Sequence, residues 1–335
     1  MRVAVIGAGS WGTAVAALAA RNADVTLWAR RPELASAIES TRENPDYLPG
    51  STLPRRLRAT TDLEEAVGRA EAVVIGVPSH GFRMVVREAA PHLPSGVPIV
   101  SLTKGIERET ERRMTEVVLE EVDHPPLRVG VLTGPNLAHE IMAGQPAATV
   151  VAIRDEWEAT RLQQLFMGPT FRVYTNPDVV GAEAAGALKN VMAIAAGMAR
   201  GLGYGDNSIA ALITRALAEL TRLGVARGGE PLTFAGLAGM GDLVATCTSP
   251  LSRNRTVGVS LGEGKSLEEI VAEMRMVAEG VKTTEAVLSI ADRLGVEMPI
   301  ARMVGQVLYE GTKPEQMVEG LMGRAPKAEL HGIAP

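Results

Sequence analysis

Through the first half of the chain, short runs of β-branched and aliphatic residues alternate with longer stretches whose apolar positions recur every three or four residues. The short runs fall at residues 3–6, 25–29, 73–77, 99–102 and 129–132, and helical patterns at 81–90, 110–121 and 136–143 separate the later ones. Two more strand candidates, 148–153 and 171–174, flank a further helix. Strands that alternate with helices imply parallel pairing in a doubly wound sheet. After Asn176-Pro177 the strand signal stops, and apolar residues such as Ile209, Leu212, Ala216, Leu220 and Leu223 keep helical spacing, with glycine-rich breaks at 228–229, 262–264 and 311. The pattern predicts an α/β protein: a Rossmann-type doubly wound sheet over residues 1–177, followed by an all-helical domain over residues 178–335.

The first strand empties into Gly7-Ala8-Gly9-Ser10-Trp11-Gly12, and an alanine-rich helical stretch follows at once. Between a strand and a helix each glycine has a task. Gly7 turns the chain sharply, Gly9 removes a side chain where a pyrophosphate must approach, and Gly12 lets the helix lie close to the strand. The helix N-terminus then offers unpaired N–H groups to the phosphates. At the end of the second strand, where an acidic residue would suit the ribose 2′-hydroxyl of NAD, the chain carries Arg30 and Arg31. Two guanidinium groups suit a 2′-phosphate, which predicts NADP(H) as the favoured cofactor. NAD(H) is the second candidate, with Glu33 within reach of a hydroxyl.

Composition narrows the partners. A 335-residue chain with 46% hydrophobic residues is long enough for two cores. A net charge of −5 and 3% aromatic residues argue against nucleic acid, which asks for basic patches and stacking rings. Residues 182–198 are apolar but carry Glu183 and Lys189, and read as a buried helix rather than a membrane insertion. The lone Cys247 allows no internal disulfide, and the chain opens directly on a strand, so a cytoplasmic protein acting on a small molecule is expected. The five histidines show no ligand spacing, and no metal site is predicted. Met274 and Met276 read as core filler, and Cys247 as a small packing residue or a bystander next to substrate.

Only six of the 34 basic residues are lysine, so a lysine in this arginine-rich chain invites a reason. Lys104 follows the strand at 99–102, and Gly134 and Asn136 follow the strand at 129–132; ligands of open α/β sheets lie beyond such strand ends. Lys189 sits in the small-residue stretch 182–190, the expected central helix of the second domain. Burial with a nearby cation such as Lys104 would ease loss of its proton, a trade arginine cannot make; pairing with Glu183 or reaching solvent are the alternatives. Asp242 and the run Thr246-Cys247-Thr248-Ser249-Pro250-Leu251-Ser252-Arg253-Asn254-Arg255 form a third cluster. Ser252-Arg253-Asn254 at a helix start combines hydroxyl, guanidinium, amide and backbone donors, which suits phosphate, although the same three residues would serve as a plain N-cap.

The glycine motif, Leu188-Lys189-Asn190, Gly241-Asp242-Leu243, Ser252-Arg253-Asn254 and Ala278-Glu279-Gly280-Val281, in this order, resemble the bacterial NAD(P)-dependent glycerol-3-phosphate dehydrogenases from residue 1 to about residue 325. The resemblance implies reversible reduction of dihydroxyacetone phosphate to sn-glycerol 3-phosphate, the backbone of membrane phospholipids. It implies Lys189 as the general acid/base, and Lys104, Gly134, Asn136, Lys189, Asp242, Ser252, Arg253 and Asn254 as substrate-binding residues. The nucleotide would contact Gly7, Gly9, Ser10, Trp11, Gly12, Arg30, Arg31, Lys104, Ala138, Arg253, Val277 and Glu279. One departure concerns position 136: the family commonly has Gly-Pro-Ser-Phe-Ala where this chain has Gly134-Pro135-Asn136-Leu137-Ala138, so a hydroxyl contact becomes an amide contact. A related keto-acid reductase of the same fold and an NADPH-binding redox sensor are the two rival readings. The alanine- and glycine-rich helical surfaces are compatible with a homodimer.

Overall fold

The structure, a computed structural model, describes residues 1–274 and 278–329. Eight strands form one sheet: β1 (Arg2–Ile6), β2 (Asp24–Trp28), β3 (Leu57–Thr60), β4 (Ala72–Ile75), β5 (Ile99–Ser101), β6 (Val129–Thr133), β7 (Ala147–Ala152) and β8 (Phe171–Asn176), in the order β3-β2-β1-β4-β5-β6-β7-β8. The central strands are mostly apolar because both of their faces are covered by helices. Val3, Val5, Val74 and Val100 join one core, and Ala4, Ile6, Val73 and Ile99 join the other. The order reverses at β1 and β4, which makes the turn after β1 the switch point where such sheets bind ligands.

Three features of these elements depart from the sequence reading. β3 was not expected: its Leu-Arg-Ala-Thr is short, lies at the sheet edge, and buries only Leu57 fully. The sheet is also not uniformly parallel, because β7 runs antiparallel to β6. The segment between them holds only the five-residue helix Ala138–Met142, about 8 Å long, which cannot carry the chain back along a strand of about 16 Å. β7 therefore starts near the end where β6 stops. The helix expected from residue 110 begins at Met114, since Glu111 adopts a left-handed backbone conformation that ends any helix there.

By its internal contacts the chain divides into residues 1–104 with 112–179, and residues 105–111 with 180–335. The sequence reading kept everything up to 177 together. Residues 105–111 instead belong with the helices, because the side chain of Ile106 is buried in the helical core.

That core is organised around the helix Val179–Gly201, which is long and apolar enough to cross a membrane but has 94% of its apolar window inside the protein. Its partner is the helix Arg253–Gly262. A Cβ on Gly197 would lie 2.2 Å from the Arg255 carbonyl oxygen, and one on Gly201 would lie 2.3 Å from that of Val259; Gly258 and Gly262 face them in the same way. Two glycine pairs four residues apart thus bring two helix backbones into contact, about two and three turns beyond the small-residue stretch the sequence singled out. Elsewhere in this unit Glu219, 1% exposed, accepts the N–H groups of Ile300 (2.7 Å) and Ala301 (3.2 Å) at the start of the helix Pro299–Tyr309. Burial pushes its carboxyl up to about 7, against the opposing pull of those two donors.

Candidate active site

In the sheet unit, β1 runs into the turn and the helix Ser10–Ala19 as the motif requires. Gly7 has φ +116°, a conformation that favours glycine, and donates to the carbonyl of Trp28 at 3.0 Å. A Cβ on Gly12 would stand 2.0 Å from the Gly7 carbonyl oxygen, so helix and strand meet there without room for a methyl group. Gly9 differs: nothing lies within 4 Å of where its Cβ would be, and as N-cap it gives the first helical turn no side-chain cap. The first N–H groups thus receive no side-chain cap from Gly9, as a pyrophosphate needs. Asn44, wholly buried, ties the turn down by donating to the Ala8 carbonyl (2.9 Å) and to Thr13 (2.8 Å), and Ser10 donates to the Tyr47 carbonyl at 3.0 Å. Trp11 stacks obliquely on Phe171 and packs with Ala14, Leu48 and Ala138, while its buried indole N–H has no acceptor among the described residues. An open glycine, an uncapped helix start and an orphaned donor fit a dinucleotide.

Of the two arginines after β2, Arg30 is exposed and Arg31 forms an ion pair with Asp46 while lying 5.9 Å from the centre of the Tyr47 ring. Asp46 is therefore the carboxylate that forms an ion pair with Arg31.

At the ends of β5 and β6, Lys104 donates to the Gly134 carbonyl at 3.0 Å, and Gly134 itself has φ +142°. Asn136 donates through Nδ2 to the Thr149 hydroxyl (2.9 Å), and Thr149 donates to the Thr133 carbonyl (2.9 Å). Lys104, Gly134 and Asn136 thus form one polar patch of the sheet unit.

In the helical unit, Lys189 is 6% exposed and its ammonium group donates to Asp242 Oδ1 at 2.7 Å and to the Thr246 hydroxyl. Asp242, 2% exposed, opens the helix Asp242–Thr248 just after a π-helical turn, Leu237–Gly241. A carboxylate suits that helix start, and its charge balances the buried amine. Thr246 donates back to the Asp242 carbonyl oxygen at 2.6 Å, which turns its lone pairs to the lysine. Lys189 has three protons, two are taken, and the third has no acceptor among the described residues. Its partner in this unit is thus Asp242, neither Glu183 nor solvent. Cys247 next to Thr246 is buried in the helical core, and desolvation pushes its thiol up to about 12, so it stays a neutral packing group.

Ser252 caps the helix Arg253–Gly262 by accepting from Arg255 N at 3.3 Å, and its hydroxyl proton remains to be donated. Asn254, 8% exposed, accepts from Gly280 N at 2.9 Å, which leaves its amide NH2. Arg253 is exposed. A Cβ on Gly280 would lie 2.7 Å from both the Asn190 carbonyl oxygen and Asn254 Oδ1, so the three helices that carry Lys189-Asn190, Asn254 and Glu279-Gly280 converge on this glycine.

Two family descriptions match most of this chain: NAD-dependent glycerol-3-phosphate dehydrogenase N-terminus over residues 2–159, and the C-terminus of the same enzyme over residues 178–319. The chain belongs to the NAD-dependent glycerol-3-phosphate dehydrogenase family. It is 54% identical over 331 residues to a glycerol-3-phosphate dehydrogenase [NAD(P)+] of Sphingopyxis alaskensis, covering 99% of each chain. It is 52% identical to the enzyme of the same name from Thermobifida fusca, again over 99% of each. The crystal structure of glycerol-3-phosphate dehydrogenase from Coxiella burnetii superposes with a TM-score of 0.91 at 38% identity, covering 96% of this chain and 99% of that one.

Relative to that family, the residues named from sequence fall into two groups. Gly7, Gly9, Ser10, Trp11, Gly12, Arg30, Arg31, Lys104, Gly134, Asn136 and Ala138 lie in the sheet unit; Lys189, Asp242, Ser252, Arg253, Asn254 and Glu279 lie in the helical unit. Val277 lies outside the described residues, as do Met276 and His331. Sequence reasoning did not single out Thr246 as a partner of Lys189, Asn190 beside it, or Thr149 under Asn136. Thr246 carried a signal, since it falls one helical turn after Asp242. Thr149 carried none, because only the antiparallel return of β7 brings it to Asn136.

Proposed function

We propose that this chain catalyses the reversible reduction of dihydroxyacetone phosphate to sn-glycerol 3-phosphate with NADP(H), and also with NAD(H), and so supplies glycerophospholipid synthesis. The observation that carries the reading is the third proton of Lys189, whose buried amine is held by Asp242 and Thr246 and which has no acceptor among the described residues. When bound, the nicotinamide supplies a hydride to the ketone carbon. Lys189 donates the proton that the carbonyl oxygen takes up, and in the reverse direction takes it back. Asp242 keeps the amine oriented and balances its charge while the oxygen gains negative character. Arg253, the Asn254 amide NH2 and the Ser252 hydroxyl bind the phosphate, which fixes the carbonyl relative to Lys189 by binding energy remote from the reacting carbon. In the sheet unit, Gly7, Gly9, Ser10, Trp11, Gly12, Arg31 and Ala138 receive the nucleotide, joined by Glu279, while Lys104, Gly134 and Asn136 contact substrate. Cytoplasmic location and a homodimer belong to the same proposal, the latter open to light scattering on the eluted protein.

The test is oxidation of NADPH, and separately of NADH, by the purified protein with dihydroxyacetone phosphate. Turnover with both, and a higher kcat/KM for NADPH, is expected. A protein that binds NADPH yet reduces a phosphate-free keto acid and not the triose phosphate would overturn the reading.

A further inference from the structure

Thr149 lies on β7, wholly buried, under the turn that follows β6. A Cβ on Gly134 would touch its Cα at 3.2 Å and its hydroxyl at 3.4 Å, so the turn closes directly over it. The hydroxyl has one proton, and the Thr133 carbonyl 2.9 Å away can only accept. Toward Asn136, also 2.9 Å away, the same hydroxyl must therefore be the acceptor, and only Nδ2 of the amide can meet it. The amide is left with one orientation: nitrogen toward Thr149, oxygen away from it. That oxygen is buried and has no hydrogen-bond partner among the described residues.

We propose that Thr149 is a positioning residue that fixes the Asn136 amide so that its oxygen accepts a hydrogen bond from the free hydroxyl of the substrate. The inference rests on the dehydrogenase reading above and deepens it. A family serine at this position can donate or accept; in this chain the buried, unpartnered Oδ1 of Asn136 can only accept, which selects a ligand with an O–H or N–H at that point. The triose hydroxyl is such a group, and the carboxamide N–H of the nicotinamide is the other source of the same chemistry.

Four forms of the enzyme test it: the parent, Thr149→Val, Thr149→Ala and Thr149→Ser. Val and Ala lack the hydroxyl, Ser keeps it, and Ala against Ser isolates the hydroxyl at equal loss of the methyl group if Val does not fold. The readouts are KM and kcat for dihydroxyacetone phosphate, KM for acetonyl phosphate, which is the same triose without its free hydroxyl, and the NADPH dissociation constant from nucleotide fluorescence. A buried acceptor that can rotate away from its donor loses roughly a factor of ten. The expected result is a KM for dihydroxyacetone phosphate raised about tenfold in Val and Ala, kcat changed by less than about threefold, and Ser within about twofold of the parent. On acetonyl phosphate all four forms should have similar KM values, because there is no hydroxyl to lose. A tenfold rise in the NADPH dissociation constant with the triose KM unchanged would uphold the locked amide and assign its donor to the cofactor. Unchanged constants in Val and Ala, or equal losses in Ser and Ala, overturn the role of Thr149. A parent enzyme that fails to reduce dihydroxyacetone phosphate would instead overturn the reading on which it rests.

Discussion

At the start of the helix Ser10–Ala19 the groups offered to a ligand are backbone N–H groups, and side chains matter there by being absent: Gly9 is open, and Gly12 has no space to be anything else. Around Lys189 the backbone is already committed to helix, and all the chemistry is carried by three side chains from two helices. The two regions solve different problems. A phosphate needs many weak donors pointed at one place, which a helix end supplies regardless of side-chain identity. A proton transfer needs one titratable group held still, which only a matched set of side chains provides.

The contrast can be broken most directly at the amine. Lys189→Arg keeps a positive charge next to Asp242 but cannot release a proton, so kcat should fall by about a thousandfold while NADPH binding stays within about twofold of the parent. Near-normal turnover would mean that the proton comes from another group. A second test asks whether burial of a carboxylate in the helical unit is by itself enough to alter protonation. Among the described residues Glu219 accepts hydrogen bonds only from two backbone donors and from no cation, and its carboxyl rises from 4.5 to about 7. The folded protein then holds this proton more tightly than the unfolded chain does. Its stabilising effect is complete below about pH 4.5 and is lost as the pH rises through 7, a change on the order of 3 kcal/mol. Glu219→Gln should flatten the dependence of Tm on pH between 5 and 8; parallel curves for the two proteins would show that the group titrates normally.

The glycine cradle is sharpened by a pair of variants. Gly9→Ala introduces a methyl group into open space at φ −73°, so Tm should hold while the NADPH dissociation constant rises about tenfold, since only a ligand would meet the new atom. Gly12→Ala places its methyl against backbone and should lower Tm as well, by several degrees. Equal behaviour of the two would erase the distinction between a glycine kept for the ligand and one kept for packing. The smallest effect is expected at Asp46. The Arg31–Asp46 pair is about half exposed on each side, so Asp46→Asn should raise the preference for NADPH over NADH in kcat/KM by only two- to threefold.

What could be read from sequence follows the same division. The cradle is local, so spacing within a dozen residues was enough to propose tasks for Gly7, Gly9 and Gly12, and seven of the eight strands announced themselves by short β-branched or alternating apolar runs. β3 did not, because an edge strand that buries one side chain carries little pattern. The helical unit was harder. Lys189 stood out as a charge among small apolar residues, but its partner Asp242 is 53 positions away and no local rule joins them. The direction of β7 was equally hidden: it depends on a connecting helix too short to recross the sheet, and Thr149 was invisible with it.

The excursion of residues 105–111 has a bearing on how this enzyme could be taken apart. The chain crosses from one compact unit to the other three times, after Lys104, after Glu111 and after Val179. A gene cut once near codon 178 would produce a C-terminal fragment lacking Ile106, a side chain that its own interior is shaped to receive. Exchange of halves between relatives at a single junction would graft a foreign plug into that interior, so any chimera meant to swap cofactor or substrate preference must carry this seven-residue loop along with the helices.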